Sequence, residues 1–377
     1  MKRLRPIAIV VLIFSLGIAV GRLAPRDQAA PEWVAAGSLS APRAYGSAVA
    51  LATGEVLVIG GLDATDPQVT RATSELFDPA SGTVRVLPQR LPGRLNHAIA
   101  TGWGDRVVVT GGTEWRDGSW AAFDRVDVYL PYAREWLPGA PLRDRRSDHA
   151  AVALADGRIL VAGGHDGPRW VRGSEIYDPR TNIWALAAPL PKGRAQFTME
   201  ALPNGLVLVA GGIEEPGRPS HTSLLYDPAA DRWRAGPDLS VARVLHAAAR
   251  LPNGDILIVG GQGAAGGWAE RYDWRRGAFV FAGTLDAPRY LPAVAALPDG
   301  RVVVSGGLPG GRSLRSFAPT TAAEIWNGAS ARWTDLPPGL VARALGDLVV
   351  TDRGVYRIGG VLEGERAGAA IERLTLP

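Results

Sequence analysis

The chain has 377 residues, 46% hydrophobic and 21% charged, a balance that excludes a disordered or collagen-like polymer. Glycine (47) and proline (29) exceed a fifth of it, so long helices have little room and many short strands are expected. Lys2, Arg3, Arg5 and Arg22 account for the whole +4 formal charge, so the body is neutral and nucleic-acid binding loses its electrostatic basis, while the absence of cysteine excludes disulfides, thiolate metal sites, a thiol nucleophile and a lipidated N-terminal cysteine.

Residues 1–24 read as a targeting segment. Lys2, Arg3 and Arg5 precede an uncharged apolar run from Ile7 to Gly21 that ends at Arg22. That run falls short of the roughly 20 residues that span a bilayer comfortably, and Ala19-Val20-Gly21 offers small residues for cleavage. A signal peptide or an uncleaved N-terminal membrane anchor is expected. Either places the body in the periplasm or outside the cell, with an inner-membrane attachment if the segment stays on.

Next come Trp33 and Leu39, a tryptophan with a leucine six residues on, which recurs later in the chain. Seven Gly-Gly pairs follow, each after a β-branched run: Gly60-Gly61, Gly111-Gly112, Gly163-Gly164, Gly211-Gly212, Gly260-Gly261, Gly306-Gly307 and Gly359-Gly360. Their spacing stays near about 50 residues, a period that signals repeated supersecondary units. Each pair closes a predicted hairpin whose tip is typically Asp-Gly or Asn-Gly, as in residues 150–164, because these dipeptides accept the positive φ of a type I′ turn.

A third strand ends at an aromatic and a turn in Phe77-Asp78-Pro79, Tyr177-Asp178-Pro179 and Tyr226-Asp227-Pro228. A fourth carries the tryptophan–leucine pair at Trp136 and Leu142, Trp184 and Leu190, Trp233 and Leu239; Phe279 and Leu285 copy it, and Trp333 keeps its aromatic half. The last unit, Arg343 to Pro377, has three strands and no fourth. Residues 31–39 have fourth-strand spacing and no strands before them, so they are predicted to complete it.

Four antiparallel strands at this period make a β-propeller blade. The di-glycine, the Tyr-Asp-Pro turn and the later tryptophan, in that order, resemble the kelch-repeat family, including galactose-oxidase-like propellers. The resemblance spans 31–377 and implies an all-β, seven-bladed propeller of four-stranded kelch-type blades, its last blade closed by the N-terminal strand. Such closure removes exposed sheet edges. A galactose oxidase would also need copper held by tyrosines and histidines, with one tyrosine cross-linked to cysteine. This sequence has no cysteine, so no copper, other metal or cofactor is expected.

In an up-and-down blade the second-to-third connections and the links between blades share one face. These loops are long and varied, and variable loops on a rigid scaffold carry function. After the second Gly-Gly comes Thr113-Glu114-Trp115-Arg116-Asp117-Gly118-Ser119-Trp120. After the third comes His165-Asp166-Gly167-Pro168-Arg169-Trp170. Trp268 lies in the fifth such loop, and Arg312, Arg315 and Phe317 in the sixth. Indoles stack on sugar faces or peptide side chains while Arg and Asp direct hydrogen bonds. The candidate ligand-binding set is therefore Trp115, Arg116, Trp120, His165, Asp166, Arg169, Trp170 and Trp268. The competing reading is that the tryptophans pin their own loops.

An arginine opens every first strand (Arg43, Arg94, Arg146, Arg194, Arg243, Arg289, Arg343). An acid recurs in the third strand (Glu75, Asp127, Glu175, Glu270, Glu324, Glu372), with Leu224 as the gap. A charge present in all units is expected to tie the ring together; an arginine-lined mouth is the alternative. His97, His149 and His246 share a position that elsewhere holds Gly46, Phe197, Pro292 or Gly346, so they are read as structural rather than metal ligands. Glu200 and Arg250 interrupt the small, apolar first strands and are expected to pair across neighbouring blades.

Three functions compete. A non-catalytic binding module, monomeric and exported, would present the loop face to a protein, peptide or glycan. A carbohydrate-active enzyme of the sugar mutarotase or epimerase type is the alternative, needing only an acid and a base around a sugar. A purely structural envelope domain is the third. No nucleophile elbow, phosphate loop or metalloprotease helix is present, and no catalytic residue is assigned.

Overall fold

The computed structural model describes residues 30–62, 70–89, 91, 93–262, 267–310 and 318–376. The leader at 1–24 and the sixth-loop residues Arg312, Arg315 and Phe317 lie outside the described residues. Among the described residues there are strands, turns and two short 3-10 segments.

There are seven four-stranded antiparallel sheets, and six of them run in sequence order from first to fourth strand. The third sheet is typical: Ala150–Ala153, Ile159–Ala162, Ser174–Asp178 and Ile183–Ala187. Its second strand is wholly buried, which its unbroken Ile-Leu-Val-Ala requires, because such a strand is covered on both faces. Its fourth strand is an outer edge whose Trp184 turns inward against Tyr177, with ring centroids 4.8 Å apart. The Trp184 Nε1–H donates to the Ala140 carbonyl of the preceding unit at 2.7 Å. Trp233 and Trp333 reach back in the same way, to Ala188 and Ala282. The Asp-Pro turn is capped by Asp178, which accepts the Arg180 backbone N–H at 2.9 Å.

The last sheet takes its fourth strand from the start of the chain. Asp347–Thr351, Gly354–Ile358 and Gly368–Thr375 are completed by Glu32–Arg43, with Trp33 opposite Leu374 and Val34 opposite Arg373. Trp33 is buried among Val355, Leu374 and Leu297, with the Arg357 guanidinium 5.1 Å from its ring centre.

Apolar clusters lie between consecutive sheets. Leu57 and Ile59 of the first pack on Val107 and Val109 of the second, and Val56, Val58 and Phe77 of the first also pack on Tyr356 and Ile358 of the last.

The Gly-Gly pairs have a physical cause. Both residues hold positive φ, and the second donates its N–H to the arginine carbonyl of the following sheet: Gly61 to Arg94, Gly112 to Arg146, Gly164 to Arg194, Gly212 to Arg243, Gly261 to Arg289 and Gly307 to Arg343. Gly360 likewise donates at 3.2 Å to Arg43, the last residue of Glu32–Arg43 and the repeated arginine that leads into the first sheet. A Cβ on Gly163 would stand 2.5 Å from the Arg194 oxygen, so only glycine fits.

The repeated arginines are buried. Arg146 is typical: it donates to the Gly163 and Gly173 carbonyls at 3.0 and 2.9 Å and to Glu175 at 2.6 Å, while Glu175 also accepts the Arg143 backbone N–H. Each arginine thus ties its first strand to its own di-glycine and third strand. They do not line a mouth.

The expected Glu200–Arg250 ion pair does not form. Arg250 ends its strand at an exposed position, and no contact within 4.0 Å joins the two groups. Its guanidinium still acts at a distance, opposing the burial that pushes the Glu200 carboxyl up to about 7.

Candidate functional site

Two hairpins rise beside one another on the face that carries the second-to-third connections. The first pairs Thr113–Arg116 with Ser119–Ala122 around Asp117-Gly118, both at positive φ. Register sets Trp115 opposite Trp120, and the indoles meet edge to face at 5.4 Å. Arg116 pairs with Glu114. The Trp120 ring is 40% exposed, so the tip presents aromatic surface to solvent. A cavity of about 290 Å³ adjoins this hairpin, lined by Glu114, Arg116, Phe123, Asp124, Arg125 and Arg145.

The second pairs His165 with Trp170 and Asp166 with Arg169 across a turn at Gly167. It lies against the Ser119–Ala122 strand of the first hairpin. His165 Nε2 is 2.9 Å from Asp148 Oδ2, and that hydrogen bond holds the imidazole pKa above its ordinary value against partial burial. Gln196 donates to the other Asp148 oxygen at 3.4 Å. Arg169 donates to Asp144 at 3.1 Å and lies 3.7 Å from Asp166. Trp170 is half-buried over Gly193, where a Cβ would stand 2.4 Å from its own Cβ.

Seven of the eight sequence candidates therefore meet on two adjoining hairpins. Trp268 does not join them. It opens the third strand of the fifth sheet, and its ring packs on Phe281 of the neighbouring strand at 6.0 Å. Trp170 partly fits the loop-pinning reading, and Trp120 packs on Trp115 of its own hairpin while staying 40% exposed.

Sequence reasoning missed Asp148 and Gln196. Both occupy a position two residues after the repeated arginine that holds positive φ in every sheet: Tyr45, Asn96, Asp148, Gln196, Leu245, Leu291 and Leu345. Backbone bonds link several of them from sheet to sheet, including Asp148 N–H to Asn96 O at 3.0 Å and Gln196 N–H to Asp148 O at 2.9 Å. The polar members, Asn96, Asp148 and Gln196, are consecutive and adjoin the hairpins, while Leu245, Leu291 and Leu345 are consecutive on the other sheets. The signal was present as an arginine with a polar residue two places on, but register alone did not say where it pointed.

Also unforeseen is a cavity of about 570 Å³ on the opposite face. The turns of the fifth and sixth sheets form it, with Pro252, Asn253, Pro298, Asp299 and Asn327 in its wall. It is open and shallow in chemistry, with one arginine pair and no convergent acid–base group.

The three histidines at the repeated first-strand position pack on the di-glycines of the preceding sheets. Burial pushes His97 and His246 down to about 3 and His149 well below its ordinary value, and His149 and His246 share hydrogen bonds with Thr110 and Thr198. Among the described residues, one group of three His, Cys, Asp or Glu side chains brings its ligand atoms within 4.8 Å: Asp286, Glu324 and Asp335. Glu324 there is already bound by Arg289 and by the Asp286 backbone N–H.

A kelch motif is matched across residues 145–191, which span the third sheet and its flanking links. No curated protein matches in sequence. The fold matches a solved structure described as a novel fungal alcohol oxidase of the AA5 family in complex with copper, at 19% identity and a TM-score of 0.71, covering 91% of this chain and 76% of that one. Copper of the tyrosine–histidine–cysteine kind does not fit the donors here: there is no cysteine, and the buried histidines stand one to a sheet at one repeated position.

Proposed function

We propose that this kelch-repeat propeller is an exported, non-catalytic interaction module, a seven-bladed ring closed by its N-terminal strand that binds a protein, peptide or glycan on one face. Three observations support the ring: seven four-stranded sheets, Glu32–Arg43 paired onto the last of them, and the Gly360-to-Arg43 hydrogen bond that repeats between the last and first sheets the contact found between all others. The leader composition supports export.

The observation that carries binding is the pair of adjoining hairpins. Trp115, Trp120 and Trp170 offer flat apolar area, and Arg116, Asp166 and Arg169 set directional polar groups around it. Rigid aromatics lose little conformational entropy on binding, and charged groups at the rim supply orientation.

His165 held by Asp148 favours the second reading, sugar mutarotation or epimerisation. A half-buried imidazole with a raised pKa beside a carboxylate is suited to moving protons near neutral pH. A screen of glycans, cell-wall fragments and peptides on the purified protein separates the two. Saturable binding lost in Trp120→Ala and Arg169→Ala, without product, supports the module. Turnover of a reducing sugar lost in His165→Ala supports the enzyme, and no response from any probe rejects both.

A further inference from the structure

The first strands carry one position, three residues after the repeated arginine, whose side chain lies against the di-glycine of the preceding sheet. His97 lies on Gly60, His149 on Gly111, Phe197 on Gly163, His246 on Gly211 and Pro292 on Gly260. The first and last sheets have Gly46 and Gly346 there instead. Between them opens a central cavity of about 260 Å³, reached also by Ser47, His97, His246 and Asp347.

Asp347 stands at the next position, which is Ser47, Ala98, Ala150, Thr198, Ala247 and Ala293 in the other sheets. An acid here is therefore peculiar to the cavity. Its carboxyl accepts the Ala48 backbone N–H and has no cation within 4.0 Å, and burial pushes its pKa up to about 7. Across the space, His97 has both ring nitrogens buried and without a partner. Those nitrogens flank the ring carbon that packs on Gly60, so His97 forms part of the cavity wall without offering an open acceptor.

We infer that this cavity binds a small organic cation through a primary ammonium group, with Asp347 as counter-charge and Ser47 as a further acceptor. An ammonium brings three N–H donors and no acceptor, which matches the two oxygens of a carboxylate and a hydroxyl. The buried carboxylate repels anions. A bare metal ion is poorly matched, since Asp347 belongs to no group of three ligand atoms within 4.8 Å among the described residues.

The neighbouring charges are spoken for. The stems of Arg43 and Arg343 pass Gly46 and Gly346, and their guanidiniums are held by Glu75 and Glu372. His246 is held neutral by burial and shares Nε2 with Thr198. Asp347 is thus the charge left for a ligand. This inference stands apart from the hairpin face, so either can fail without the other.

The test is calorimetric titration of the full protein with ethanolamine and, as the neutral isostere, ethylene glycol, at about pH 8, where the Asp347 carboxyl is mostly ionised. The inference predicts saturable binding of ethanolamine only, weakened roughly tenfold or more in Asp347→Ser by loss of a charge-assisted bond. Gly346→His should block it by restoring the side chain that fills the other sheets. Both changes install residues found at the same positions elsewhere in this chain, so folding is preserved; circular dichroism checks it. Equal binding of the two compounds, no binding of ethanolamine, or unchanged affinity in folded Asp347→Ser overturns the inference.

Discussion

Arg194 is neutralised by Glu214, a residue of the loop after the fourth Gly-Gly, and not by the third-strand position that serves the other six sheets. Leu224 occupies that position, opposite Val209, where Glu175 stands opposite Val161 one sheet earlier. Glu214 also accepts the hydroxyls of Thr222 and Ser220 at 2.6 and 3.0 Å, so the displaced carboxylate is as fully engaged as those it replaces.

Glu214→Ala leaves a buried guanidinium with no counter-charge and should cost about 3 kcal/mol. Adding Leu224→Glu returns the acid to the repeat position and should recover most of that loss. Thermal unfolding of the two variants reads the outcome. If Glu214→Ala melts like the parent, the substitution of one acid for another is not what keeps Arg194 buried.

The buried Glu200 carboxyl, at about 7 in the fold against an ordinary 4.5, gives stability a pH slope. Between those values the folded chain keeps a proton that the unfolded chain has lost. Stability therefore falls as pH rises through that window, by no more than about 3 kcal/mol. Asp347 acts in the same direction, so Glu200→Gln should reduce the slope without abolishing it. Denaturant midpoints at about pH 4.5 and pH 7.5 test this; identical slopes in parent and variant contradict it.

The two exposed-hairpin tryptophans should separate by stability. Trp170 rests on Gly193 and its loss should cost about 1–2 kcal/mol, whereas Trp120, the more exposed of the two at 40%, should cost under about 1. Both losses should weaken ligand binding. A Trp120→Ala protein that melts far below the parent would assign that ring to packing.

The period of the Gly-Gly pairs, the Asp-Gly and Asn-Gly tips and the tryptophan spacing were enough to read strands and sheets, because each marks a backbone demand that few residues meet. Gly163 is such a case: positive φ and a neighbouring carbonyl both require it. The site was legible as far as the hairpins. Trp268 went astray because spacing from the Gly-Gly does not distinguish a loop from the first residue of a long third strand. Asp148, Gln196 and Asp347 stayed hidden for a different reason: each acts across an interface between sheets, and which way a side chain turns at that boundary is set by the tertiary register, while Glu214 stayed hidden because it reaches Arg194 from a loop of the same unit instead of the repeat position.

The absence of cysteine allows closure of the ring to be tested covalently. Val34 faces Arg373 across the antiparallel pair that joins the start of the chain to its end. Facing positions in such a pair are separated by about 4.5–5.5 Å between Cα atoms, within reach of a disulfide. With Val34→Cys and Arg373→Cys in one chain, mild oxidation of dilute protein should give a quantitative intramolecular bond, a monomer of faster mobility and a higher unfolding temperature. Free thiols, or disulfide-linked dimers in their place, would contradict a ring whose first strand completes its last sheet.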